Sequence, residues 1–153
     1  MTNAVSWWGA VLALHILGAV IWVGGMFFAI LVLRPSLGTV DPAPRIALLG
    51  QIFRKFFRYV WHVIPIMIVT GYAMVFGRFG GFRGVGWTVH AMQGLGWIMT
   101  FVFLAVVFGP YPKFRAAIQP AKAGQHVETM RRLIAANLVL GLVTIVVAAL
   151  GSI

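Results

Sequence analysis

Four histidines and seven methionines are the side chains in this sequence with the most to offer chemically, because there is no cysteine and the only acids are Asp41 and Glu128. Without thiols, disulfides, thiolate metal sites and cysteine nucleophiles are excluded. Two acids far apart leave no carboxylate pair for acid–base catalysis and no oxygen cage for a hard cation. Any metal must therefore be held by imidazole, thioether or a neutral oxygen. His15, His62 and His90 each stand inside or beside a long apolar run, where an ionisable group is costly unless it meets a partner or a cavity. His126 stands just before Arg131 and Arg132, in a basic connection.

The runs that hold these histidines dominate the chain. Of 153 residues, 61% are hydrophobic and 9% charged, too little polarity to cover a soluble domain. Four runs, about 7–33, 59–76, 87–109 and 133–152, are each long enough to cross a bilayer. The fold expected is all-α: one integral membrane four-helix bundle over residues 1–153. The first run is too long for a signal-peptide core and is expected to be retained. Residues 44–58 carry Ile46, Leu49, Phe53, Phe56 and Phe57 at helical spacing, with Arg54, Lys55 and Arg58 off that stripe, as in an amphipathic helix at a membrane surface.

The net charge of +10 is concentrated in two connections. Arg34, Arg45, Arg54, Lys55 and Arg58 lie in the first, and Lys113, Arg115, Lys122, Arg131 and Arg132 in the third. This is a topology signal rather than a nucleic-acid-binding face. By the positive-inside rule both basic connections are cytoplasmic and both termini periplasmic or external, in a bacterial inner membrane. The remaining connection, Gly77 to Gly86, is a glycine-rich turn without the context of a phosphate-binding loop.

Depth follows from about 1.5 Å per residue. His15 and His90 fall in the outer half of the first and third runs, and His62 in the inner half of the second. His15, Gly18, Trp22 and Gly25 share one stripe, as do Gly86, His90, Gly94, Trp97 and Phe101. Small residues beside a histidine, with aromatics beyond, suit a haem b with two axial imidazoles in a bundle core. On that reading His15 and His90 ligate the iron and Trp22 and Trp97 pack near the ring. Arg78 and Arg83 then pair with propionates, and Asn137 meets a propionate or a quinone headgroup. The competing reading makes the glycines packing positions and the histidines interhelical hydrogen-bonders. His62, in Trp61-His62-Val63-Ile64-Pro65, marks a second inner site or a proline kink.

The methionines open an alternative, since thioether and imidazole together suit Cu(I). Met92 lies two residues after His90, Met26 lies on the His15 stripe, and Met67 and Met74 lie along the second run. Against this, no Met-x-Met or Met-x-x-Met cluster appears.

Leu14-His15-Ile16 through Ile21-Trp22-Val23-Gly24-Gly25-Met26-Phe27-Phe28 and Arg34-Pro35 resembles the first helix of CopD-like membrane proteins, with a similar opening in HemJ-type protoporphyrinogen oxidases. Trp61-His62-x-x-Pro65, Thr70-Gly71, Gly86-Trp87-x-x-His90-x-Met92-Gln93 and Arg131-Arg132-Leu133-Ile134-x-x-Asn137-Leu138 extend the CopD likeness over nearly the whole chain. That resemblance implies copper uptake or resistance. The HemJ likeness implies haem b on the first-helix histidine and an oxidoreductase activity. It also expects a lysine where Met92 stands, which argues against porphyrinogen oxidation.

Three functions are thus expected from the sequence. The first is a haem b redox protein in the lipid bilayer, exchanging electrons with quinone or a periplasmic redox partner. The second is a copper transport or delivery protein using His15, His90, Met92 and Met26. The third is a cofactor-free accessory subunit of a larger complex, and a homo-oligomer is compatible with each.

Overall fold

A computed structural model describes the backbone of residues 2–151 and the side chains of residues 7–151. Among them there is no strand, and four helices are long and apolar enough to cross a membrane. The first, α1 (Thr2–Phe27), runs on through a widened π-helical stretch, Phe28–Leu33, and two short turns to Thr39. Next come α2 (Pro42–Ala73), α3 (Trp87–Phe108), the short α4 (Pro110–Ala116) and α5 (Pro120–Leu150). Prolines open α2, α4 and α5, where their missing N–H costs nothing.

The amphipathic segment and the second apolar run form one helix. No glycine or proline breaks the chain between Arg54 and Ile64, so the surface stripe continues directly into the span. Phe53 and Phe57 are buried against Phe114, Phe103 and Tyr111. The fourth run likewise begins well before Leu133, at Pro120. Pro65 lies inside α2. The nearby imidazole of His62 bonds through Nδ1 to the Arg58 carbonyl at 2.7 Å, which fixes His62 on the exposed face of its own helix.

The core is a layer of apolar side chains from all four long helices. Val60 and Met130 are fully buried, and Met26, Val106, Trp22 and Met99 nearly so. Outward, Ile16, Leu17, Val20, Val69, Phe101, Val139 and Val146 are exposed, an apolar belt that a bilayer covers without penalty. The protein is a multi-pass membrane protein.

Helix α1 packs on α2 and α5, and α3 packs on α5. Glycines permit the close approaches. A Cβ on Gly18 would stand 2.6 Å from the Met67 sulfur, and one on Gly141 2.8 Å from Val23 Cγ2 and 3.1 Å from Met99 Cε. At one end of the bundle Trp8 packs on Gly77 and Gly151 on Thr88, so both ends of the described chain stand beside the 77–86 loop. At the other end Glu128 pairs with Arg131, with Arg132 at 3.2 Å and with Arg34 at 3.9 Å. This basic end joins the foot of α1 to α5.

Candidate metal centre

Toward the loop end the four long helices part around a cavity of about 610 Å³, in the range of small-molecule sites. Its lining is chiefly apolar. Into it come His15 from α1, Gln93 from α3, and four of the seven methionines: Met67, Met74, Met92 and Met99. Arg78 lies at the loop end of the same lining.

The spacing of the methionines explains their convergence. Met67 and Met74 are seven residues apart, as are Met92 and Met99, and seven residues are nearly two whole turns. Each pair therefore repeats on one helix face. The antiparallel run of α2 and α3 sets Met74 and Met92 nearer the loop, with Met67 and Met99 about 10 Å deeper. His15 enters between these tiers, beside Thr70 and Gly71.

Thr70 and Gly71 set the imidazole. His15 Nδ1 lies 2.8 Å from Thr70 Oγ1, and that hydroxyl lies 2.6 Å from the Ile66 carbonyl. A carbonyl only accepts, so Thr70 spends its one proton on Ile66 and its oxygen accepts from His15 Nδ1–H. The tautomer is thereby fixed with the Nε2 lone pair free, as a metal-ligating histidine requires. Gly71 makes the room: a Cβ there would stand 3.3 Å from His15 Cε1 and 3.7 Å from Gln93 Nε2.

The structure does not bring His90 to this place. The residues of α3 that line the cavity run from Thr88 and Val89 through Met92, Gln93, Gly96 and Trp97 to Thr100, and His90 is not among them although Trp97, on the same stripe, is. His90 is exposed and stacks on Phe82, with ring centroids 5.6 Å apart. The paired-imidazole site expected for His15 and His90 is therefore not formed. Gly94 meets nothing within 4 Å of a built Cβ, while Gly18 and Gly25 are filled by Met67 and Phe56. The two α1 glycines are helix-packing positions, and none of the three cradles a macrocycle.

The other expected residues are scattered. Trp97 lines the cavity and donates from Nε1 to the Tyr72 hydroxyl at 3.1 Å. Arg78 shares the lining, but Arg83 does not. Trp22 is buried and forms part of the cavity floor. Met26 and Asn137 lie beneath that floor, in a separate small chamber. His62 is exposed, apart from His15, and His126 is half-buried at the basic end.

Thr70, Gln93, Met67, Met74 and Met99 are the site residues that the sequence reading did not assign. Short methionine motifs were the wrong pattern for helices, and the seven-residue spacing was the signal present. Among the described residues no three of His, Cys, Asp and Glu gather, so a metal in the cavity would draw on thioethers or neutral oxygens besides His15. One oriented imidazole with several thioethers in an apolar cavity is a soft donor set, which fits Cu(I) and does not fit hard cations.

Fold and site together define a four-helix membrane protein with an imidazole–thioether cavity. The sequence matches the family model of copper resistance protein D over residues 50–150, and the chain belongs to this CopD family. It is thus a copper-resistance-related membrane protein. No curated protein and no solved structure matches it significantly.

Proposed function

We propose that this protein binds Cu(I) as its cargo in the loop-end cavity and moves it to or through the membrane. The observation that carries the reading is that four methionines line one cavity together with a histidine whose Nδ1–H is taken by Thr70, which leaves Nε2 unprotonated. Thioether and neutral imidazole favour Cu(I) over Zn(II) or Mg(II). Membership of the CopD family points the same way. Of the residues first expected for copper, His15 and Met92 line the cavity, Met26 lies below it, and His90 does not take part.

The basic connections orient the site. With Arg54, Lys55, Arg58, Arg131 and Arg132 on the cytoplasmic side of a bacterial inner membrane, the cavity belongs to the periplasmic half. Both termini are then external. An alkaline phosphatase reporter fused after Ile153 is expected to be active, and activity of a cytoplasmic reporter there instead would reverse the orientation.

A second reading is favoured by the cavity's volume, which far exceeds one ion. Haem b on His15, with a cavity thioether opposite, would use that space. Quinone or a periplasmic redox protein would then be its electron partner.

Titration of detergent-purified protein with Cu(I) against a chromogenic chelator separates the readings. Stoichiometric Cu(I) on a colourless protein is expected. A red protein with a sharp band on reduction, and no Cu(I) uptake, would overturn the copper reading in favour of haem. A protein that takes neither would be an accessory subunit.

A further inference from the structure

The cavity is divided by chemistry. Its four methionines come from α2 and α3, and Thr70 and Gly71 on α2 hold the imidazole of His15. Above the floor, the side formed by α1 and α5 is chiefly hydrocarbon, with Leu12, Ile16 and Ala19 from the one helix and Ile145 and Ala148 from the other. The Thr144 hydroxyl on this side donates to the Leu140 carbonyl of its own helix at 2.8 Å. One ion and its donors occupy a small part of 610 Å³, so the apolar half is space that a metal leaves unused. Left empty, it forgoes the dispersion contacts of its lining. Water would find few polar partners along it.

The wall between α1 and α5 is not closed. The two helices meet where a Cβ on Gly141 would stand 2.8 Å from Val23 Cγ2. About one to three turns nearer the loop come Leu12, Ile16 and Ile145, which line the cavity and are nevertheless 45%, 52% and 48% exposed. Side chains that face an inner space and keep half their surface free mark a gap. Helix α5 stays close to α3 throughout, with Gly141 against Met99 and Gly151 against Thr88, so the gap falls on the α1 side. Opposite, the α2–α3 side is crossed by the Trp97–Tyr72 hydrogen bond and covered by the rings of Phe76 and Phe82. What adjoins the α1–α5 gap is the hydrocarbon of the bilayer.

The loop end adds a charge. Arg78 lies in the cavity lining, exposed, with its guanidinium over the Phe79 ring. Both acidic side chains of the sequence, Asp41 and Glu128, stand at the opposite, basic end. A phosphate diester at the membrane interface supplies a counter-charge for Arg78. We infer that the α1–α5 side of the cavity is a phospholipid site: one acyl chain enters between Leu12, Ile16 and Ile145, and the phosphate of the same lipid pairs with Arg78. Binding is non-covalent and needs no metal, so the site goes beyond the copper reading and does not depend on it. The chain in place excludes water from His15 and the thioethers across the cavity.

The test uses full-length protein, free of copper, in nanodiscs of phosphatidylglycerol that carries a diazirine at the end of one acyl chain. Irradiation is expected to label the buried floor residues Trp22, Val23 or Met99 as well as Val139 and Val146 on the outer belt. Ala148→Phe, which sets a ring across the gap, is expected to lose the floor label and keep the belt label, and Ile16→Trp closes the gap from the facing helix with the same result. Arg78→Gln is expected to give up its co-purified phospholipid at a lower detergent concentration than wild type, read by native mass spectrometry. Label confined to the belt in wild type overturns the inference, as does a floor label undiminished in both closure variants. If a diazirine-bearing quinone labels the floor and the phospholipid does not, the occupant is a quinone and the phospholipid site is wrong.

Discussion

His15→Ala is expected to abolish Cu(I) binding in the cavity, while His90→Ala leaves it unchanged. On the copper reading the imidazole would be the one nitrogen donor among thioethers, and its loss would leave the cavity without its oriented ligand. A milder variant isolates the role of orientation. Thr70→Val keeps shape and volume but removes the oxygen 2.8 Å from His15 Nδ1. The ring then loses the partner that holds Nε2 unprotonated, and affinity should fall by about 10- to 100-fold, as is usual when a partner behind a ligating histidine is lost. Competition titration against a chelator measures both variants. Equal affinity in Thr70→Val and wild type would show that the hydrogen bond sets no ligand, and a wild-type isotherm for His15→Ala would remove the site altogether.

Gly18→Leu is expected to lower stability. The hydrogen on Gly18 faces Met67, and a Cβ would come within 2.6 Å of its sulfur and 3.5 Å of Val63 Cγ1. Gly18→Ala is tolerable, because the end of a methionine side chain can rotate aside. Leucine adds three more carbons at a contact between two packed backbones, and overpacking of that kind costs about 1–3 kcal/mol. Since Met67 lines the cavity one turn from Thr70, which holds His15, Cu(I) affinity should fall with it. Thermal unfolding in detergent, monitored by helicity, gives the order wild type, Gly18→Ala, Gly18→Leu. A leucine variant as stable as wild type would mean that α1 and α2 can separate at no cost.

Much of this architecture was legible in the sequence. Four apolar runs ending at proline, glycine and arginine can hardly be anything but four spanning helices, and the structure has them. The helix ends were less legible. Segment 44–58 is amphipathic and the run after it apolar, a change of period that reads as a boundary although nothing there breaks a helix. For the site, His15 was legible by elimination, since an imidazole a few turns inside an apolar helix needs a partner. That partner was not legible, because threonines in membrane helices bond to their own helix as a rule. Thr70 does so too, and only the structure shows its oxygen serving His15 as well. His90 differs from expectation because it stands in the first turn of α3, where its ring stacks on Phe82 of the preceding loop and stays exposed, while Trp97 on the same stripe does line the cavity.

The length of α2 and α5 has a different kind of consequence. At 32 and 31 residues they measure about 48 and 46 Å, against a hydrocarbon thickness of about 30 Å. Roughly a third of each stands outside the lipid, where α4 and the starts of both helices enclose Phe53, Phe114 and Ala123. One continuous core is thus held together by two solvents. In the lipid, burial of apolar groups drives nothing, and the helices cohere through close-fitting glycine contacts. In the water below, the same kind of side chain is driven inward by the hydrophobic effect. Urea, which acts through the aqueous phase, loosens the protruding aromatic knot and leaves the loop-end cavity's lipid-facing walls standing, so the two ends of the molecule melt separately.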